Sequence, residues 1–228
     1  MTDQDRQKRE AAVAALAEVE SGMVLGLGTG STAAHFVDLL GARVREGLRV
    51  VGVPTSERTA EQARALGIPL AELGDHAALD LVVDGADEVA TGSLALVKGL
   101  GGALLREKLV ALAGRRMIVI VDEGKLVTGL GRGPVPVEIV EFGAATTLAR
   151  LRGEGAEPRI RPGAGGQPYR TDGGNLIADC RFAAIPDPAA LQARLKALAG
   201  VVETGLFPGF ASRVLVGAPG GPRVLDRS

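Results

Sequence analysis

Between Met23 and Val121, short apolar β-branched runs alternate with stretches of helical periodicity, and no other feature of the 228 residues constrains the fold as tightly. Val13, Leu16 and Val19 recur at helical spacing over Gln4 to Val19, ahead of a short buried strand at Met23-Val24-Leu25. A second helical stripe follows through Phe36, Leu39, Leu40 and Val44, then a strand over Arg49 to Val53. Ser56 is placed to cap a third helix, after which come the apolar run Ile68 to Leu73 and a strand over Leu79 to Val83. A helix over Ala103 to Ala113 and a strand over Met117 to Val121 complete the series. Such alternation requires right-handed crossovers and gives a mostly parallel sheet covered on both faces. With 46% apolar but only 3% aromatic residues, the core has to be built from Val, Leu, Ile and Ala, which suits such a sheet.

The pattern changes beyond Val127. Gly129 to Pro136 is rich in Gly and Pro, and strands are expected at Val135 to Val140, Pro158 to Arg161 and Leu176 to Phe182. Helices are expected over Ala144 to Arg152 and Pro188 to Ala199, which makes this segment an α+β module. Val201 to Leu206 and Arg213 to Val216 are β-branched and are expected to return to the first sheet. The fold class is therefore α/β: a mostly parallel sheet domain over 1–127 plus 201–228, with a second, smaller α+β domain over 128–200.

A net charge of −1 supplies no basic field for nucleic acid, and scarce aromatics leave few platforms for stacking bases. Cys180 is the only cysteine, which excludes an intrachain disulfide and a multi-cysteine zinc site and fits a reducing compartment. The first ten residues are polar, and no run approaches the roughly 18 apolar residues of a membrane span. A cytoplasmic protein that binds neither nucleic acid nor membrane is expected.

Gly26-Leu27-Gly28-Thr29-Gly30-Ser31-Thr32 lies where a strand ends and a helix begins, so free N–H groups and the helix dipole favour an anion such as phosphate. A Walker loop requires a Lys that is missing here, and a dinucleotide fingerprint requires Gly where Ser31 stands. Taken alone, the segment also fits a tight turn with a helix cap. Leu79 to Val83 runs into Asp84-Gly85-Ala86-Asp87-Glu88, which places carboxylates at a strand's carboxyl end, where α/β sheets assemble their sites. These acids fit sugar hydroxyls, magnesium or a plain turn.

Lys98-Gly99-Leu100-Gly101-Gly102 precedes the helix that carries Glu107. Aldose–ketose isomerisation moves a proton between adjacent carbons through an enediol(ate), which one carboxylate can do while a cation such as Lys98 stabilises the developing negative oxygen. By position alone, Glu107 also fits a surface acid between Arg106 and Lys108. Asp122-Glu123-Gly124-Lys125 ends the strand Met117 to Val121, so Lys125 is either a phosphate ligand or a solvated loop lysine. His35 and His76 assemble no triad and no metal site.

Taken in order, Gly28 to Thr32, Asp84 to Glu88, Lys98-Gly99 to Glu107-Lys108 and Asp122 to Lys125 resemble the type A ribose-5-phosphate isomerase family. Thr55-Ser56-Glu57, Pro136-Val137-Glu138, Thr171 to Asn175 and Glu203 to Phe207 are similar to other segments of that family. The resemblance implies a Rossmann-like α/β domain with a small α+β domain, and interconversion of ribose 5-phosphate and ribulose 5-phosphate without metal or cofactor, in a homodimer or larger homo-oligomer. It implies Glu107 as the proton carrier, with Asp84, Asp87 and Lys98 assisting, and a substrate site lined by Thr29, Gly30, Ser31, Thr32, Asp84, Gly85, Ala86, Asp87, Lys98, Gly99, Leu100 and Gly101. Lys125, and more distantly Lys8, would meet the phosphate. Leu100 departs from the family loop, which is often richer in glycine. Two other classes remain beside this one: a sugar-phosphate sensor domain and a CoA transferase with a glutamate nucleophile, both of related fold.

Overall fold

The computed structural model describes residues 2–226. In chain order the first elements are α1 (Asp3–Leu16), β1 (Val24–Leu27), α2 (Ser31–Arg45), β2 (Val51–Pro54), α3 (Glu57–Ala65), β3 (Leu81–Asp84), β4 (Glu88–Ala90), β5 (Leu96–Val97), α4 (Leu104–Ala113), β6 (Met117–Asp122) and β7 (Leu126–Val127). They are followed by β8 (Val135–Ile139), α5 (Ala144–Gly153), β9 (Ala156–Ile160), β10 (Leu176–Phe182), α6 (Pro188–Lys196), β11 (Val201–Thr204), β12 (Leu206–Phe207), β13 (Arg213–Gly217) and β14 (Arg223–Asp226). The chain divides into two compact units. The first takes the described residues up to Ala86, Arg106–Leu126 and those from Gly209 on; the second takes Asp87–Leu105 and Val127–Pro208.

The first unit holds a six-stranded sheet in the order β14-β13-β6-β3-β1-β2, parallel except for β14. Every residue of β3 and β6 is buried, as strands covered on both faces require. Leu25, Leu27, Leu81, Val83, Ile118 and Ile120 meet Phe36, Val37 and Leu40 of α2 in one core. The face of α1 differs from the expected one: Val13 is 47% exposed, while Ala11, Ala12 and Ala15 are fully buried. Alanine lets the helix lie close to the sheet. At Gly217 of β13 an added Cβ would come within 1.7 Å of the Gln7 carbonyl oxygen, so helix backbone rests directly on strand backbone.

The second unit contains an antiparallel sheet in the order β11-β8-β10-β9, with α5 and α6, and a small sheet in the order β12-β5-β4-β7. Two features depart from the expected layout. Val201–Thr204 pairs with Val135–Ile139 and Leu206–Phe207 with β5, so of the last stretch only Arg213–Gly217 joins the large sheet. Residues 87–105, expected in the first domain, also belong to the second unit. Their strands β4 and β5 are three and two residues long, too short to show periodicity. Buried Glu88 ties this segment to the loop after β7, accepting the Gly131 and Gly133 amides at 2.8 and 2.5 Å. Buried Glu138 on β8 accepts from the Thr171 hydroxyl and the Asn175 amide, both at 2.9 Å, and so anchors the turn ahead of β10.

Cys180 is fully buried in β10, and burial, followed by the nearby Asp179 charge, pushes its thiol up to about 12. At pH 8 it should therefore stay protonated and shielded. An aromatic disulfide reagent is expected to label no thiol in the native protein and one per chain after denaturation; rapid native labelling would contradict this burial.

Candidate active site

The strand order reverses between β1 and β3: the chain leaves β1 for β2 on one side and then crosses back to β3 on the other. Open α/β sheets bind ligands beside the carboxyl ends of the strands at such a reversal. Gly28 follows β1 and Asp84 ends β3. The two loops are joined by the Asp84 carboxylate, whose Oδ1 accepts the Thr29 amide at 3.0 Å and the Gly85 amide at 2.7 Å. Contact is so close that a Cβ on Gly28 would fall 2.1 Å from Asp84 Oδ1. Gly30 then adopts φ +115°, a conformation suited to glycine, and α2 starts at Ser31 with no side-chain cap. The first N–H groups of α2 thus face out of the carboxyl edge of the sheet, with the dipole favouring an anion.

Thr29, expected to line the substrate, is committed elsewhere. Its hydroxyl is buried in a cluster with Thr55 Oγ1 at 2.7 Å, Ser56 Oγ at 2.8 Å and Thr59 Oγ1 at 3.1 Å. Thr55 and Thr59 in turn donate to the carbonyls of Leu27 and Gly28 at 3.1 and 3.0 Å. Three hydroxyls from just after β2 thereby fix the path of the glycine loop, through the Thr29 hydroxyl and two carbonyls. Sequence reasoning found Ser56 as a helix cap, which it is, accepting the Thr59 amide at 3.1 Å. It missed the cluster, whose only trace in the sequence is three hydroxyl residues just after β2.

Glu107 lies in the first turn of α4 and is only 4% exposed, and Lys108 is 3% exposed, so the surface-acid reading is overturned. Its height above the sheet follows from packing. Gly26 of β1 faces Val110 of α4, with 2.6 Å between an added Cβ and Val110 Cγ1. The end of α4 meets the start of β3, where the Leu79 amide donates to the Ala113 carbonyl at 2.8 Å. The helix therefore runs antiparallel to the strands, and Glu107, one turn before Val110, stands about 4.5 Å nearer their carboxyl ends. At a strand rise of about 3.3 Å per residue this is level with the start of the glycine loop. Arg106, its neighbour, turns away into an ion pair with Glu57 at 2.7 Å.

Lys125 is half-buried in a single helical turn after β6, a turn capped by Asp122 accepting the Gly124 amide at 3.0 Å. The helix that carries Lys8 lies against this turn, with Gln4 Nε2 donating to Asp122 and the Glu123 amide donating to Gln7 Oε1, each at 3.3 Å.

Apart from Ala86, which belongs to the first unit, the remaining expected residues belong to the second. Lys98 is 2% exposed, with its ammonium 5.7 Å from the centre of the Phe207 ring and its amide donating to the Gly205 carbonyl at 2.8 Å. Asp87 accepts the Leu100 amide at 2.9 Å, and the Leu100 side chain is exposed. Gly99 takes φ +103° and Gly101 is exposed. Arg161, unmarked in the sequence by any motif, holds the carbonyls of this loop. Among the described residues no three His, Cys, Asp or Glu gather as metal ligands. A cavity of about 580 Å³ beside α3, lined in part by Ser56, Glu57, Arg64 and Arg106, contains none of the expected site residues.

The model of the family "Ribose 5-phosphate isomerase A (phosphoriboisomerase A)" matches residues 51–221. The chain belongs to the ribose 5-phosphate isomerase A family. It is 56% identical to the ribose-5-phosphate isomerase A of Gloeobacter violaceus over 227 residues, covering 99% of this chain and 98% of that one. To the Synechococcus sp. protein of the same name it is 54% identical over 230 residues, with all of both chains covered. A solved D-ribose-5-phosphate isomerase in complex with phospho-erythronic acid superposes with a TM-score of 0.96 at 39% identity, covering 99% of this chain and 100% of that one. Membership in this isomerase family leaves the sensor and CoA-transfer readings unfavoured. It also fits the geometry, since the family segment Thr55-Ser56-Glu57 is here the hydroxyl turn that holds the glycine loop.

Thr59→Val keeps the side chain's shape but removes the donor to the Gly28 carbonyl. It is expected to lower stability by about 1–3 kcal/mol, the cost of stranding a buried polar partner. Urea unfolding measures this, and a midpoint equal to that of the unaltered protein would show that the cluster carries no such load.

Proposed function

We propose that the protein interconverts ribose 5-phosphate and ribulose 5-phosphate, with Glu107 carrying the proton through an enediol(ate). The observation behind this is the buried Glu107 carboxylate, level with the glycine loop at the switch point of the sheet. After the furanose ring opens with help from Asp84 or Lys98, Glu107 takes the proton from C2 and returns it to C1. The negative charge that develops on the carbonyl oxygen is met by the Lys98 ammonium, and a preorganised cation is most effective there because water is excluded. Asp87 orients sugar hydroxyls. The phosphate is held by the N–H groups of Gly30, Ser31 and Thr32 at the start of α2 and by Lys125, with Lys8 further out. Gly85, Ala86 and Gly99 to Gly101 supply backbone around the sugar, and Thr29, its hydroxyl bound within the cluster, lines the site as part of the glycine loop. The family relative bound to phospho-erythronic acid, a phosphorylated sugar acid, supports a site of this kind. We further propose that the protein works in the cytoplasm as a homodimer or larger homo-oligomer and needs no metal.

Glu107→Gln keeps the shape but removes the base, so kcat for ribose 5-phosphate is expected to fall by on the order of a hundredfold or more. EDTA is expected to leave the unaltered enzyme's rate unchanged. Near-normal turnover by Glu107→Gln would sink the assignment.

A further inference from the structure

Three of the five residues in Lys98-Gly99-Leu100-Gly101-Gly102 are glycine, and Gly99 and Gly102 adopt φ +103° and +86°. A loop of this composition has much conformational freedom to lose, so something must hold it in one shape. Its amide side is held by Asp87 through the Leu100 N–H at 2.9 Å. Its carbonyl side is held by Arg161, which follows β9: Nη1 donates to the carbonyls of Gly99 and Leu100, both at 3.0 Å. The other edge of the guanidinium grips Asp179 on β10, with Nε to Oδ2 at 2.9 Å and Nη2 to Oδ1 at 2.5 Å. The Arg161 side chain is only 11% exposed and lies 5.8 Å from the centre of the Tyr169 ring. Tyr169 also bounds the loop, since a Cβ on Gly102 would fall 2.1 Å from its hydroxyl.

A cross-strand ion pair that only stabilised the sheet would be complete with the Asp179 edge. Here the remaining nitrogen reaches two carbonyls some sixty residues earlier in the chain. A planar fork can serve a carboxylate on one edge and carbonyls on the other, whereas a lysine ammonium cannot span both.

We propose that Arg161, oriented by Asp179, is a positioning residue for the reaction: it fixes the 98–102 loop so that Lys98 and the loop backbone meet the sugar in a single geometry. This rests on the reading of that loop as part of the sugar site. Arg161 touches no reacting atom in this scheme, and its effect reaches the chemistry through the loop.

The test uses the full-length protein with Arg161→Lys, which keeps the charge, and Asp179→Asn, which keeps the shape. For each, the folded fraction, hydrogen exchange at the Leu100 amide, and kcat and KM for ribose 5-phosphate are measured. Both variants are expected to fold and to exchange the Leu100 amide faster. Their kcat is expected to fall by on the order of tenfold to a hundredfold, more than KM rises, as misplacement by about an ångström produces. Guanidinium ion added to Arg161→Ala is expected to restore part of kcat, where ammonium at equal concentration does not. Unchanged kcat in either folded variant overturns the proposal, as does failure of both to fold, which would mark the pair as purely structural. Should the unaltered protein fail to isomerise ribose 5-phosphate, the functional reading falls, and Leu100 exchange alone decides whether Arg161 holds the loop.

Discussion

One carboxylate oxygen organises the carboxyl edge of the large sheet. Asp84 Oδ1 accepts an amide from the glycine loop after β1 and another from the turn after β3, joining the ends of two neighbouring strands where the strand order reverses. Without that link, the two loops beside the reversal would be independent, each free to find its own conformation. With it, Gly28 has to be glycine and Gly30 can turn the chain into α2. The hydroxyl cluster repeats the device from the other side, so the loop is held by a carboxylate from β3 and by hydroxyls from the β2–α3 turn. Side chains thus satisfy the loop's early polar groups, while α2 starts with no side-chain cap on its N–H groups.

The alternation of strands and helices was legible because it repeats over a hundred residues with two distinct periods. The parallel core, the Ser56 cap and the strand Met117–Asp122 follow from it closely. What escaped has specific physical causes. Val13 looked like the buried stripe of α1, but helix and strand approach so closely beside Gly217 that the buried positions are alanines. The strands β4, β5 and β12 have two or three residues each and are defined by their partners, which periodicity cannot supply. Val201–Thr204 has the composition of a core strand, and composition does not say which sheet it joins.

The candidate site divides along the same line. Gly28, Asp84 and Glu107 belong to recognisable local patterns: a glycine turn, a strand-end acid and the first turn of a helix. Even so, the burial of Glu107, which separates a base from a surface charge, depends on Val110 packing against Gly26 far away in the sequence. Arg161 and Asp179 carry no local signature at all. Arg161 directly follows β9 and Asp179 lies within β10, and only the pairing of those strands makes one guanidinium available to a distant loop. Most of the residues named in advance are candidates for meeting the ligand, and the ones missed are those that hold them.

The interleaving of the two units also bears on synthesis. The chain passes from one unit to the other four times, and the second unit is complete at Pro208, before β13 has been made. Strand β13 lies beside β6 and carries the outer strand β14, so the large sheet stays open along β6 until the last part of the chain arrives. On a ribosome, the unit begun second would be finished first. The exposed edge of β6, every residue of which is buried in the finished fold, would then be the surface most in need of a chaperone's protection.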